Sequence, residues 1–400
     1  MIRALRVLHW YPSFQRGGGV ANIVLHLANA QAQLGMQSMI ASVEGTGMYG
    51  TPTPDPGVEL RVWRPAWRIG RGGVVLRGIP RKTALRLTEL RPDVIHVHGE
   101  FNPDNWWVPR LFDVPIVLSP HGAFHPSVFE KHARRGKSLY VKVARRLLYR
   151  RVGVLHAVSP MEEDHLSVAF PGTRVYCAPQ GTSIPLDQVA SNGDAAPARR
   201  GGPVSLLFIG RLDVFTKGLD LLVDACAAAF ERLNGTPVHL TLIGPDWKGG
   251  RAVVEEHARS VGVGDRIHLT GAVSSADIAR LLPQFDCYVQ LSRHESFGFG
   301  VADALAVGKP VIMTNSMGIA SFPELAALPH VRVVEPESRA AASAMVDVTA
   351  NLEALQVEAM NARGSVRQLL SWQRIAELHR DHYEELVSPT RVIWHSEQAG

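Results

Sequence analysis

Cysteine is scarce in this 400-residue chain: Cys177, Cys226 and Cys287 form an odd set with no close pairing, each in or beside an apolar segment. That argues against a disulfide-stapled scaffold and a Cys-ligated zinc module, and points to reduced core thiols of the kind found in the cytosol. Long apolar runs are missing as well, and none approaches the roughly 18 residues that a membrane span needs. The first residues reach His9, Trp10, Tyr11 and Pro12 without a long apolar stretch or a small-residue cleavage site. No secretory leader is expected, and the chain is expected in the cytoplasm. There is no Asp-x-Asp pair after a strand to hold a metal. His96 and His98 would share one face of a strand, but no Cys or carboxylate completes a ligand set around them at a recognisable spacing. They are read as packed or hydrogen-bonded strand-end residues, and no metal is expected.

What is present is ordinary for a soluble globular protein: 46% hydrophobic and 20% charged residues, with a formal net charge of +5. The length exceeds one ordinary core, so two domains are expected. In the first half, apolar runs predict strands at 5–10, 38–43, 58–63, 94–98, 115–118, 152–158 and 174–178. Helices are predicted at 20–34, 74–90, 105–111, 137–150 and 161–170. At 186–203 Ser, Asn, Gly, Ala, Pro and Arg replace the apolar rhythm, as in a linker. Strands resume at 204–209, 238–243, 267–269, 287–291, 311–314 and 331–334. The reading is an α/β protein of two doubly wound domains, 1–185 and 204–370, then a helix at 371–387 and a mobile tail at 388–400.

Two segments of the second half carry the chemistry. The stretch 292–311 runs from a strand through a loop holding Glu295 into a helix whose start has Phe297, Gly298, Phe299 and Gly300, with Asp303 eight residues after Glu295. A helix start offers free N–H groups to an anion, and a carboxylate on either side can hold hydroxyls, which suits a phosphorylated sugar. The other segment is the turn Gly210-Arg211-Leu212-Asp213-Val214-Phe215-Thr216-Lys217-Gly218, between the 204–209 strand and an apolar helix at 219–233. There Arg211 and Lys217 can meet a diphosphate and neutralise its charge.

Together the two segments resemble the retaining glycosyltransferases of the GT4 family. That family's C-terminal half carries a Gly-Arg-Leu…Lys-Gly turn and a Glu-x7-Glu element followed by Ala-x-Ala-x-Gly-x-Pro-Val. This chain has one more residue than the commonest form between Arg211 and Lys217, and Asp303 where members usually have Glu. Met317-Gly318-Ile319 stands where the family often has a Gly-Gly turn. The resemblance implies the GT-B architecture, two Rossmann-like domains facing across a cleft, with the terminal helix crossing back to the first. It implies Glu295 on donor-sugar hydroxyls beside the N–H groups of Phe297, Gly298 and Phe299, Asp303 on ribose hydroxyls, and Arg211 and Lys217 on the leaving diphosphate. In the first domain it implies that Gly17, Gly18 and Gly19 bring backbone N–H groups to the donor diphosphate or the acceptor, although a flexible loop has the same composition. His121 of Ser119-Pro120-His121-Gly122-Ala123 would approach the reacting sugar, although a structural strand-end histidine has the same signature.

The implied reaction is metal-independent transfer of a sugar from a nucleotide-diphosphate sugar to a hydroxyl, without a cofactor and with retention at the anomeric carbon. No residue stands out as a nucleophile, which suits a front-side displacement. A sugar-nucleotide epimerase and an inactive nucleotide-sugar-binding protein are alternatives on the same scaffold. The segment 131–151 has nine Lys and Arg and no Asp or Glu. Its apolar spacing predicts a basic amphipathic helix, either docked on an anionic membrane near a glycan or lipid-linked acceptor, or packed on the core with a solvated basic face. No nucleic-acid-binding module accompanies that charge.

Overall fold

Apolar runs that alternate with helices call for sheets covered on both faces, and the computed structural model has two of them. It describes residues 3–45, 50–64, 68–69, 76–77, 81–106, 108–130, 134–187, 189, 202–233 and 235–388. The strands are, in chain order, β1 (Arg6–Trp10), β2 (Gln37–Val43), β3 (Glu59–Trp63), β4 (Arg68–Ile69), β5 (Leu76–Arg77), β6 (Val94–His98), β7 (Ile116–Ser119), β8 (Val152–Ala157) and β9 (Val175–Cys177). They continue with β10 (Val204–Ile209), β11 (Val238–Ile243), β12 (Ile267–Gly271), β13 (Cys287–Gln290), β14 (Val311–Thr314) and β15 (Val331–Val334). Among the described residues, β4 and β5 pair only with each other, antiparallel.

The chain divides into two compact units, Met1–Gln180 with Trp372–Gly400, and Gly181–Ser371. In the first, a seven-stranded parallel sheet has the order β3-β2-β1-β6-β7-β8-β9. One face carries Leu8, Trp10, Ile95, Val97, Leu118 and Leu155. The other carries Val7, Val94, Val117 and Val154, packed against Tyr383 of the Trp372–Val387 helix. That second face changes character along the strands. Alternation brings His9, His96, His98, Ser119 and His156 onto it toward the strands' C-terminal ends, all buried. In the second unit a six-stranded parallel sheet has the order β12-β11-β10-β13-β14-β15. Leu206, Phe208, Leu240, Leu242 and Val289 build its core.

Each order reverses direction once, between β1 and β6 and between β10 and β13. In open α/β sheets such a switch point leaves a crevice at the carboxyl ends of the strands. Gly17, Gly18 and Gly19 follow β1, the 210–218 turn follows β10, and Glu295 follows β13.

Several expectations need adjustment. The helix expected at 105–111 is two short 3-10 turns, Pro103–Trp106 and Val108–Leu111. Pro109 lacks the N–H that a continuous helix would use there. The helix expected at 137–150 runs Arg134–Leu147 and closes with a 3-10 turn, Tyr149–Arg151. Within the helix expected at 74–90, Arg81–Thr88 is helical, and 74–75 and 78–80 lie outside the described residues. So do 107, 131–133 of the basic segment, most of the expected 186–203 linker and 389–400 of the tail. No described helix is long and apolar enough to cross a membrane. All three cysteines are free thiols, with Cys226 and Cys287 buried and Cys177 partly so.

Candidate active site

The turn after β10 is set by backbone contact. Gly218 adopts the left-handed conformation, φ 61°, and ends the turn as the N-cap of the Leu219–Arg232 helix. A Cβ there would stand 2.0 Å from the Leu291 carbonyl oxygen, so only glycine lets the turn lie this close to the end of β13. Arg293 fastens the same joint. Its backbone N–H donates to the Thr216 carbonyl at 3.0 Å, and its guanidinium donates to both oxygens of Asp220 at 2.7 and 2.6 Å.

The joint brings Lys217 and Glu295 into an ion pair at the switch point. Their side chains keep 14% and 22% of their surface, so the pair is sheltered but reachable. Beneath it, the Tyr288 hydroxyl donates to the Gln290 side-chain carbonyl at 2.8 Å. The Gln290 amide donates to Ser292 Oγ at 3.0 Å and to Glu295 Oε2 at 3.4 Å. Burial holds the Tyr288 hydroxyl protonated, its pKa well above the ordinary range. A cation, a carboxylate and aligned amide and hydroxyl groups at a strand-end crevice can hold a diphosphate and sugar hydroxyls.

Glu295 is held from the other side by a bridge to Met317, with the Gly318 N–H donating to the Glu295 carbonyl at 2.9 Å. Gly298, at φ 123°, caps the Phe299–Val307 helix, and a Cβ there would come within 2.7 Å of Met317 Cε. Phe297 is buried, with its ring edge-on to Phe299 and Phe322. Arg211 lies with its guanidinium 4.5 Å from the centroid of the Trp247 ring, a cation–π contact that holds its charge at the mouth of the same turn.

Asp303 is bonded within the second unit itself. It is 2% exposed. Its carboxylate accepts the Ser183 N–H at 2.7 Å and the Ser183 hydroxyl. Burial raises its pKa to about 6, against the bonds from Ser183 and the Ile184 backbone that favour the charged form.

In the first unit, Gly17 and Gly18 have φ 67° and 92°, and Gly19 begins the Gly19–Gln33 helix. His121 follows β7 with φ 54°, uncommon for a residue with a side chain, and Gly122 follows at φ 81°. Glu162 holds this turn, accepting the Gly122 N–H on one oxygen and the Val158 N–H at 2.9 Å on the other. Burial lifts its carboxyl to about 7, opposed by those two bonds. Burial also drives the His121 imidazole down to about 3, aided by His156. The ring nitrogens of His121 lie 3.2 Å from His98 Nδ1 and 3.3 Å from the Gln180 amide. Sequence reading missed Gln180, Ser183, Glu162, Arg293 and His9, because each works through a partner distant in the chain.

Comparison with known proteins bears on both halves. Residues 17–184 match the family model described as Glycosyltransferase Family 4. Residues 203–351 match that described as Glycosyl transferases group 1. The chain is 26% identical to a GDP-mannose:cellobiosyl-diphosphopolyprenol alpha-mannosyltransferase of Xanthomonas campestris, over 97% of this chain and 99% of that one. Among solved structures it resembles sucrose-phosphate synthase from Thermosynechococcus elongatus, with TM-score 0.74, 20% identity, and 96% and 99% of the two chains covered. It also resembles Anabaena Alr3699/HepE in complex with UDP and glucose, with TM-score 0.69, 17% identity, and 96% and 100% covered. The fold they share with this chain is GT-B.

Proposed function

The chain belongs to the group 1 glycosyltransferases of family 4, and from that premise we propose that it moves a sugar from a nucleotide-diphosphate sugar to a hydroxyl of a glycan or lipid-linked acceptor, retaining configuration and using no metal. The observation that carries this reading is the Lys217–Glu295 pair at the β10/β13 switch point. Before a donor binds, the pair is neutral. An arriving diphosphate competes with Glu295 for the Lys217 ammonium and releases the carboxylate to accept sugar hydroxyls. Lys217 and Arg211 then oppose the charge that grows on the leaving phosphate oxygen, the electrostatic work that a metal does elsewhere. The bond from the anomeric carbon to that oxygen breaks as the acceptor oxygen bonds on the same face, and the acceptor proton passes to the departing phosphate. Phe297, Gly298 and Phe299 contribute the helix start, and Asp303 faces ribose hydroxyls that compete with Ser183 for its carboxylate. Gly17, Gly18, Gly19 and His121 contribute from the first unit.

The acceptor reading draws on a relative whose name specifies a polyprenol-linked disaccharide, and on the Arg134–Leu147 helix. Tyr140, Ala144 and Leu148 are buried, whereas Leu139, Lys142, Arg145 and Arg146 are exposed. An apolar seam under a basic outer face suits docking on the anionic cytoplasmic face of a membrane. Replacing Arg145, Arg146, Arg150 and Arg151 together with Gln should remove on the order of 1 kcal/mol of attraction per cation. Co-sedimentation with anionic vesicles at low and high salt reads this directly, and equal sedimentation of wild type and variant removes the membrane from the reading.

A thermal-shift panel of UDP-, GDP-, ADP- and dTDP-sugars identifies the donor, because a ligand that binds the folded state raises its stability in proportion to log concentration. With that donor, transfer should persist in excess chelator, and the product linkage should keep the donor's anomeric configuration. Loss of activity on chelation, or an inverted product, overturns the metal-free or the retaining half of the proposal. Conversion of the donor to its epimer, or no turnover at all, favours the epimerase or the binding protein.

A further inference from the structure

The row of buried imidazoles on one face of the first unit's sheet is polar chemistry that sugar transfer leaves unexplained. A backbone carbonyl can only accept a hydrogen bond, and that constraint settles the row link by link. The Ala178 carbonyl accepts from His156 Nε2 at 3.0 Å, so the proton of His156 is on Nε2 and its Nδ1 accepts from Ser119 Oγ at 2.6 Å. With its proton so directed, the Ser119 hydroxyl accepts from His96 Nε2 at 2.5 Å. His96 Nδ1 then accepts from the Tyr383 hydroxyl at 2.6 Å, and Tyr383 accepts from the Gln31 amide at 3.5 Å. The Gln31 carbonyl accepts from His9 Nε2 at 2.7 Å, and His9 Nδ1 accepts from His98 Nε2 at 2.9 Å. His98 Nδ1 accepts from His121 Nε2 at 3.2 Å, and His121 Nδ1 from the Gln180 amide at 3.3 Å. Every link points the same way, and each imidazole uses its one N–H and its one lone pair.

We infer that this one-way chain holds His121 as a neutral imidazole with its proton on Nε2 and both ring nitrogens occupied, and that His98 and Tyr383 are positioning residues for the transfer reaction, acting through His121. The inference rests on the reading of His121 as a donor-facing residue. It assigns that residue a stiff, uncharged ring in place of an acid or base, since an added proton would turn an acceptor nitrogen against a donor already aimed at it. Burial works in the same direction, lowering His9 and His156 to about 4 and placing His96 and His98 well below the ordinary histidine range. The ligand atoms of His9, His96 and His98 lie within 4.8 Å of one another, close enough for a cation. Each is already engaged, however, and a cation would have to break the row. His379 borders it, its ring 4.5 Å from that of His156, with its own bond to the Tyr176 hydroxyl at 2.8 Å.

The first test needs no activity. Long-range proton–nitrogen spectra of the full chain with labelled histidine should show His9, His96, His98, His121 and His156 as Nε2–H tautomers that do not titrate between about pH 5 and 8. Tyr383→Phe is nearly isosteric, yet it cuts the row from its carbonyl anchor. It should let an Nδ1–H population emerge at His121. Titration of His121 in that range, or an unchanged His121 spectrum in Tyr383→Phe, overturns the inference. The second test uses the identified donor. His98→Leu should lower kcat by on the order of 10-fold or more with little change in donor KM, and His98→Gln, which can both accept and donate, should recover most of the loss. Equal kcat in wild type and His98→Leu refutes the positioning role. If wild type transfers no sugar at all, the proposed function fails, and the spectra still decide the tautomer.

Discussion

The two units place opposite electrostatics at equivalent points of a similar topology. At the β10/β13 switch, the second unit holds Lys217 and Glu295 as a charged pair that keeps part of its surface. Beside the β1/β6 switch, the first unit holds His9, His96 and His98 fully enclosed, with His9 bonded to His98 and His96 bonded to Ser119 and Tyr383. A partly exposed ion pair contributes little to stability and can trade one partner for a ligand. A closed row of neutral donors and acceptors has no group to trade and gives rigidity instead. One unit is built to exchange partners and the other to hold still.

The comparison breaks most sharply at Lys217. Lys217→Ala should lower turnover by about 10²–10³-fold, as expected when charge opposing a developing oxyanion is lost, with unfolding unchanged. Arg211→Ala should fall in the same direction. Near-normal turnover in both would mean that the exchangeable pair is structural.

Asp303 sharpens the comparison, because it is a carboxylate in the exchanging unit treated like a group of the holding unit. Its folded-state pKa is raised to about 6 from the ordinary 3.8, so the folded protein favours the neutral form. The corresponding stability is fully present below the unfolded value and is lost as pH rises through about 6. The stability of wild type relative to Asp303→Asn should therefore decline by roughly 2–3 kcal/mol from about pH 4 to 7 and then level off. A flat difference in denaturant titrations across that range would show that the carboxylate is paid for by its bonds to Ser183.

The smallest effect is expected at Ser119. Ser119→Ala removes the hydroxyl between His96 and His156 and leaves a buried N–H and a buried lone pair unmatched. Unfolding free energy should fall by about 1–3 kcal/mol. No loss would mean that the row is not closed in solution.

Much of this architecture was legible because strands buried on both faces read as continuous apolar runs. The expected spans 94–98, 204–209 and 238–243 coincide with β6, β10 and β11. Lys217 and Glu295 were legible because glycines and strand ends flag the turns that carry them. The histidine row was not. His96 and His98 were visible as a pair on one face, but His9 stands singly between the apolar Leu8 and Trp10, and its partners lie at Gln31 and His98. Hydrogen bonds across a sheet leave no period in the chain. Asp303 meets the same limit: its spacing from Glu295 fits a ligand-facing role, while its bond to Ser183, 120 positions away, is invisible until the chain is folded.

The contact of Gly218 with Leu291 also bears on how this turn tolerates changes in length. With Gly218 resting on a backbone oxygen, the downstream end of the turn cannot move, and the position of Lys217 is inherited from the sheet. The residue added between Arg211 and Lys217 must therefore be absorbed upstream, where Phe215 stands 54% exposed and the Lys217 N–H reaches back to the Asp213 carbonyl at 2.9 Å. Leu212 is pinned as well, by its bridge to Asp246, so a change in length has only 213–215 to fall on, whereas position 218 should accept glycine alone in a saturation library.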